Sequence, residues 1–537
     1  MGEKVTAFSY TYFLSRKEYG MKNAVTKQDY DNQSVERQAK LMVRGLAGGF
    51  EVEWDRDAKV TPSGTVVYFA QYLNAGGLMD RLCEDAPMAY TSNNAPEDRD
   101  VLGTMVLSIL NGHTRYAHIN ALRHDRVGPE VLGMSKMVSE DSVRRALKRG
   151  QPQAWDAWLS KQERGVWEPL LAEPYVLDVD STVKPIYGHQ EGAELGYNPK
   201  KPGRPSHNYH TYFIGALRLI LGTEVLPGKA HSGGHGMPAL WTLIDSLAPH
   251  LRPRLIRADV SYGTESNMLE AERRGQAYLF KLRRSGNVKS QFKMLCAPEE
   301  GWMDAGEGWE ATERRMKLSG WTCERRCIFL RRPAERPSAT ERMPNREQPE
   351  FDFVKGTEER REWEYVALVT NDEKLTPWTI SQCYRDRADC ENVFDEIKNQ
   401  WGWSGFMTHD LQRCRIIARF IALVYNWWSV FVRLAQSDTH LEAITSRPLL
   451  LNTVGRLVET GRRKIVRLTS NHALAEKVQL ALEGIGGFLN RLARTAEQLK
   501  PEESWALILS AAFIKWLKGK VLHPVSDGDQ LLLQLHA

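Results

Sequence analysis

Between Pro174 and Leu282 short strand-like runs alternate with helical ones, and this alternation most limits what the chain can fold into. Tyr175–Asp180, Tyr209–Leu221, Glu224–Leu226, Arg254–Asp259 and Gln276–Leu282 have strand periodicity, while Pro238–Leu247 and Glu265–Arg274 have helical spacing. Strands and helices in alternation predict an α/β core, an open sheet flanked by helices. The alternation breaks over residues 286–361, which hold Trp302, Trp309, Trp321 and an arginine-dense, proline-containing run from Arg325 to Arg346. It resumes with a strand at Trp363–Thr370 and helices at Thr376–Gln400 and Leu411–Ala435. The expected layout is a helical N-terminal region over 1–165, a core in two parts (170–285 and 362–435), a strand-rich insertion over 286–361 and a helical C-terminal domain over 436–537.

The 537 residues, 42% of them hydrophobic, suffice for large cores. A net charge of +5 is mild, so affinity for nucleic acid has to come from local basic patches. No apolar segment follows Met1, which predicts a cytoplasmic protein without a secretory signal. The longest apolar run, Phe420–Val432, reads as a buried helix, too short and too closely flanked by Arg415, Arg419 and Arg433 to span a bilayer. The seven cysteines form no paired zinc-type spacing, which predicts reduced structural thiols.

Residues 1–45 read as an arm, followed by helical stretches at Thr65–Leu73, Val101–Leu110 and Arg115–Leu122. Over 130–149, Gly133 can serve as a turn and Ser139 as the N-cap of a helix with Val143, Ala146 and Leu147 inward. Arg144, Arg145, Lys148 and Arg149 then face outward, as in a helix-turn-helix that meets DNA. A further basic patch lies at Arg462, Arg463, Lys464 and Arg467.

Three acids sit at element ends: Asp180 and Asp259 close strands, and Glu391 lies on a helix. On that helix, at ~100° per residue, Tyr384, Arg387, Glu391, Asp395 and Lys398 fall within roughly one 80° sector. A face carrying carboxylate, cations and phenol suits a polyanion. Strand ends on one sheet edge converge, and three carboxylates there can hold two divalent cations for phosphoryl transfer, a role that magnesium fits. Asp178 shares a face with Asp180 on a strand otherwise rich in apolar residues. Two such carboxylates call for something cationic nearby.

These residues resemble the DDE transposases of bacterial insertion sequences, and within them the insertion sequence 1380 type of the Tyr-Arg-Glu-Lys signature group. Asp180-Ser181-Thr182 resembles the first motif, and Tyr187–Ala193, Gly196–Pro199 and Lys201–His207 the segment after it. Arg257-Ala258-Asp259 with Tyr262-Gly263 resembles the second, and Tyr384, Arg387, Glu391 and Lys398 match the third. The resemblance implies an RNase H-like core with a mixed five-stranded sheet, interrupted by the insertion. It implies Asp180, Asp259 and Glu391 as catalytic ligands of Mg2+, with Mn2+ able to substitute. Tyr384, Arg387 and Lys398 would contact phosphates near the cleaved bond. Further DNA contacts are expected from Lys201, Arg204, His207, Arg144, Arg145, Lys148, Arg325, Arg326, Arg331 and Arg332, and Trp321 is a candidate for stacking on an unpaired base. Implied partners are the terminal inverted repeats, target DNA and a second copy of the chain, in a bacterial cytoplasm at the nucleoid, with no membrane. A nuclease on the same fold and a DNA-binding repressor or domesticated descendant are the competing readings.

Overall fold

The computed structural model describes residues 41–199, 201–230, 232–295, 301–333, 363–436, 438–495, 499–517 and 522–523. Most of the expected N-terminal arm and the second half of the arginine-dense run lie outside these. Two compact units divide at Ala58 and Lys59. In the first, the described residues form a fully exposed hairpin of β1 (Leu41–Gly45) and β2 (Gly48–Val52).

The second unit opens with β3 (Val60–Thr61) and then runs helical through Val66–Ala75, Leu78–Cys83, Asp98–Leu110 and Pro152–Trp167. The Arg115–Leu122 stretch is a 3-10 helix over Tyr116–Leu122. Around the expected helix-turn-helix, Val127–Val131 and Glu140–Ala146 are short helices. Gly133 sits between them at φ 67°, and Ser139 caps the second through the Ser142 N–H. That second helix stops at Ala146, three residues short of the expected end.

Nine strands form the central sheet: β4 (Val176–Pro185), β5 (Ser206–Ile214), β6 (Leu219–Pro227), β7 (Leu255–Ala258), β8 (Tyr278–Lys281), β9 (Met303–Asp304), β10 (Glu310–Met316), β11 (Arg325–Pro333) and β12 (Trp363–Thr370). Their order is β6-β5-β4-β7-β8-β12-β11-β10-β9. β6, β5 and β4 are antiparallel, β4, β7 and β8 run parallel, and β12 through β9 continue antiparallel. The strands of the expected insertion therefore extend the core sheet. β4 and β5 are buried almost throughout, as central strands covered on both faces must be.

The expected strand Tyr209–Leu221 is two strands, turned by Gly215–Leu217 and by Arg218 at φ 51°. A Cβ on Gly215 would come within 2.7 Å of the Asp178 carboxylate, so the turn requires glycine. The tail is not wholly helical: β13 (Val454–Thr460) and β14 (Arg463–Thr469) form a hairpin that pairs with β3. Gly461, at φ 60°, opens its two-residue loop, the turn geometry that suits a twisted strand pair.

Helix Leu411–Ala435 packs on β6, helix Pro152–Trp167 and helix Pro501–Leu517. At 25 residues it has the length and composition to cross a membrane, yet 94% of its apolar window is buried inside the protein. Burial, rather than shortness, marks it as a core helix. Two of its arginines serve that core, Arg419 binding Glu163 at 2.6 Å and Arg433 lying 4.7 Å from the Trp516 ring.

Candidate active site

The site begins with register. β4 and β7 are parallel neighbours that pair Asp178 with Arg257. The ladder runs on to Val179 opposite Ala258, and the next residues are Asp180, still on β4, and Asp259, one residue past the end of β7, so strands ~4.8 Å apart bring two acids from distant sequence to the same end of the pair. Asp178 is used internally. It accepts Arg257 Nε at 2.6 Å, Arg257 Nη2 at 2.9 Å and the Gly215 N–H at 3.2 Å, and it is 1% exposed. Asp180 instead receives the Ser181 N–H at 2.7 Å and Arg387 Nη2 at 2.5 Å. Both carboxylates of the strand thus meet a cation, as their burial demands.

Arg257 also shapes the helix that carries the third acid. Its Nη1 donates to the Cys383 carbonyl, the acceptor that the Arg387 N–H would take in a continuous α-helix. The Arg387 N–H turns to the Tyr384 carbonyl instead, at 3.2 Å. The expected single helix Thr376–Gln400 is therefore two, Pro377–Arg385 and Ala388–Gln400, broken at Asp386–Arg387. The break leaves Arg387 buried against Asp180, whereas Glu391 is exposed on the second helix. Sequence reading included Arg257 in a motif without giving it a role. The available signal was a cation on an apolar strand, spaced from Asp178 as Asp259 is from Asp180.

Burial pushes the Asp180 carboxyl up to about 7, with Asp259 and Glu391 adding to the rise and Arg387 opposing it. Burial likewise pushes the Tyr384 phenol up to about 12, with Arg387 opposing and Asp259 and Asp180 adding. These couplings place the three acids, Arg387 and Tyr384 in one electrostatic neighbourhood. An all-oxygen set in which two carboxylates raise the proton affinity of the third is chemically suited to a hard divalent cation. Among the described residues, however, no three acids, histidines or cysteines stand together as a ready-made metal cage. Asp259 accepts the Ser261 N–H and Oγ at 2.9 and 2.8 Å, which fixes its carboxylate in the loop after β7. Tyr262 is buried next to Asp180 and Asp259, and its hydroxyl is 3.5 Å from His210 Nδ1.

Lys398 lines a recess of about 240 Å³ with Thr182, Lys184, Tyr187, Tyr209 and Trp403. At its rim Lys201 and Arg204 lie over the Tyr187 ring, at 4.9 and 4.7 Å. Lys184 is buried, donating to the Tyr209 hydroxyl at 3.2 Å and to the Gly405 carbonyl at 2.5 Å.

Other expected DNA contacts are placed elsewhere. His207 is fully buried in β5, with Nε2 2.8 Å from the Glu191 carbonyl, and cannot reach DNA. Arg325 is buried between Glu265 and Glu272, each at 2.6 Å. Arg326 binds Glu313 and the carbonyls of Asp372 and Leu375. Arg331 binds Glu310 at 2.5 Å between the rings of Trp302 and Trp363. Arg332 is half-exposed but pairs with Glu364 at 2.7 Å and lies over Trp309. These four cross-link the extended sheet rather than offering free cations. Trp321 is itself covered by Arg325, 5.2 Å away. On the short second helix Arg145 is exposed and Arg144 pairs with Asp141 at 2.9 Å, while Lys148 is exposed two residues past its end.

Comparison with solved structures finds likeness to a piggyBac transposase synaptic complex with hairpin DNA, at a TM-score of 0.36 and 8% identity over 84% of this chain and 86% of that one. No curated protein matches the chain. Residues 57–487 match the family model of the transposase DDE domain group 1. Because that match spans well over half of the sequence, the chain belongs to the DDE transposase family, domain group 1.

Proposed function

We propose that this transposase works by cut-and-paste on an insertion sequence of the 1380 type, binding its terminal inverted repeats, cleaving the DNA and joining the ends to target DNA. The observation that carries the reading is the β4–β7 register, which pairs Asp178 with Arg257 and ends at Val179 opposite Ala258, one residue before Asp180 and Asp259. An RNase H-like core is supported by the strand order β6-β5-β4-β7-β8, three antiparallel strands followed by two parallel ones.

In this reading Asp180, Asp259 and Glu391 would hold divalent cations, magnesium or manganese. Bound there, the cations supply charge stabilisation at the phosphoryl group and acidify water. The chain's own residues do the remaining work. Arg387 and Lys398 bind phosphate oxygens by charge, and Tyr384 adds a phenol whose raised pKa keeps it protonated as a donor. Lys201 and Arg204, spread over Tyr187, steer the strand past the recess. Arg387 pairs with Asp180, and the break at Asp386–Arg387 separates the helix that bears Tyr384 from the one that bears Glu391. The protein acts as a dimer on DNA in the bacterial cytoplasm.

The test incubates the purified chain with labelled element ends and magnesium. Wild type cuts, chelation stops the cutting, and Asp259→Ala and Glu391→Ala bind the ends without cutting. Binding by wild type with no cutting under any divalent cation would favour a repressor. Equal cutting by Glu391→Ala would remove the third acid from the reading.

A further inference from the structure

The three-stranded sheet β14-β13-β3 presents a face that none of the site residues uses. Its register sets Arg456 directly opposite Arg467, Val458 opposite Ile465, and Thr460 opposite Arg463. Opposed residues of an antiparallel pair share a face, so these six project together. Leu457, on the other face, is 6% exposed and turns toward the core. Arg456, Arg463 and Arg467 are exposed, and among the described residues no carboxylate lies within ion-pair distance of any of them. The charged pair on the opposite face is already engaged: Glu459 by Lys59 at 2.7 Å, and Lys464 by Glu130.

Like charges directly opposite one another destabilise a strand pair. Cations on an edge strand also discourage edge-to-edge pairing, which accounts for Arg463 and Arg467 on β14. That role cannot account for Arg456, because β13 is the inner strand, paired on both sides. From the Arg456–Arg467 pair to Arg463 is four residues along the ladder, ~14 Å at 3.4 Å per residue. One small anion cannot meet both ends of such a row, whereas a polyanion can. Val458 and Ile465 lie between them and offer apolar contact to whatever covers the face.

We propose that this face is a second DNA contact, gripping the phosphate backbone of duplex DNA through Arg456, Arg467 and Arg463 without reading sequence. The proposal rests on the transposase reading only in naming DNA as the polyanion.

The test measures binding of the full chain to a fluorescent duplex carrying an element end, across a salt series. Arg456→Ala with Arg467→Ala should weaken binding at least tenfold at low salt. It should also flatten the slope of log affinity against log salt by about two, at ~0.9 for each phosphate no longer neutralised. Arg456→Lys with Arg467→Lys should retain the slope, and circular dichroism of both variants should match wild type. An unchanged slope in the alanine variant overturns the proposal. So does loss of self-association in sedimentation with DNA binding intact, which would make the face a contact between copies. A wild type that binds but never cuts, with the slope still flattened by the substitutions, sinks the cleavage reading and leaves this face standing as a DNA grip.

Discussion

Asp178 and Asp180 lie two residues apart on one strand, yet their surroundings give them different work. Asp178 is closed off by Arg257 and the Gly215 N–H, while Asp180 shares its field with Asp259, Glu391 and Arg387. Breaking a buried ion pair leaves the surviving charge stranded, which costs about 3–5 kcal/mol. Arg257→Ala should therefore lower stability by that order in urea unfolding, and should also free the Cys383 carbonyl that fixes the helix break. Asp178→Asn strands the buried Arg257 guanidinium in its turn, so it should cost the same order. Equal, small losses in both would show that the pair is not structural. Lys184 tests the same physics through pH. Burial pulls its ammonium down to about 8, below the unfolded value near 10.4. Between those values the unfolded chain binds more protons, so the Lys184 contribution rises as pH climbs from about 8 to about 10.4 and is constant below. Denaturation of wild type against Lys184→Met should show wild type gaining on the variant only across that window. Sequence reading set Asp180 apart from Asp178 by the hydroxyl residues that follow it. The partner of Asp178 was not legible, because pairing depends on register across a gap of 79 residues.

At the scale of elements, helical spacing locates the Tyr384–Lys398 segment but not its interruption. The break comes from Arg257, a side chain on a remote strand that takes a carbonyl from the helix ladder, and no local pattern signals that. The hairpin β13–β14 is the opposite case. Its alternation and the Gly461-Arg462 turn are written locally, but the dense basic run obscures period two and suggests a helical tail. Glycine at 263 is explained only by tertiary packing. A Cβ there would lie 2.4 Å from the Lys281 carbonyl, a backbone atom at the end of β8. The loop that carries Asp259 thus rests directly on the neighbouring strand. Gly263→Ala should push that loop away, costing about 1–3 kcal/mol from overpacking. Because Asp259 is anchored through Ser261 in the same loop, cleavage should fall further than melting alone explains. Normal cleavage at temperatures well below the variant's melting point would show that the loop tolerates the shift.

Across the whole molecule, the number of basic residues is a poor guide to where DNA lies. The chain carries 72 lysines and arginines against 67 acids, and sequence reading gave the arginines of β11 to the DNA backbone. The extended sheet explains why they are not available. β10, β11 and β12 need a covering layer, and Arg325, Arg326 and Arg331 contribute to it by pairing with Glu265, Glu272, Glu313 and Glu310, Arg325 and Arg331 also lying over tryptophan faces. Such arginines act as packing groups with an ionic tip. Removing them should change stability and leave the electrostatics of DNA binding alone. Arg331→Ala strands Glu310 and uncovers Trp302 and Trp363, so it should lower the melting temperature by several degrees. The salt slope of DNA binding, which counts only cations that displace counterions, should stay at the wild-type value. A slope reduced by about one in Arg331→Ala, with unchanged melting, would return the β11 arginines to the DNA interface and require the sheet extension to open in the complex.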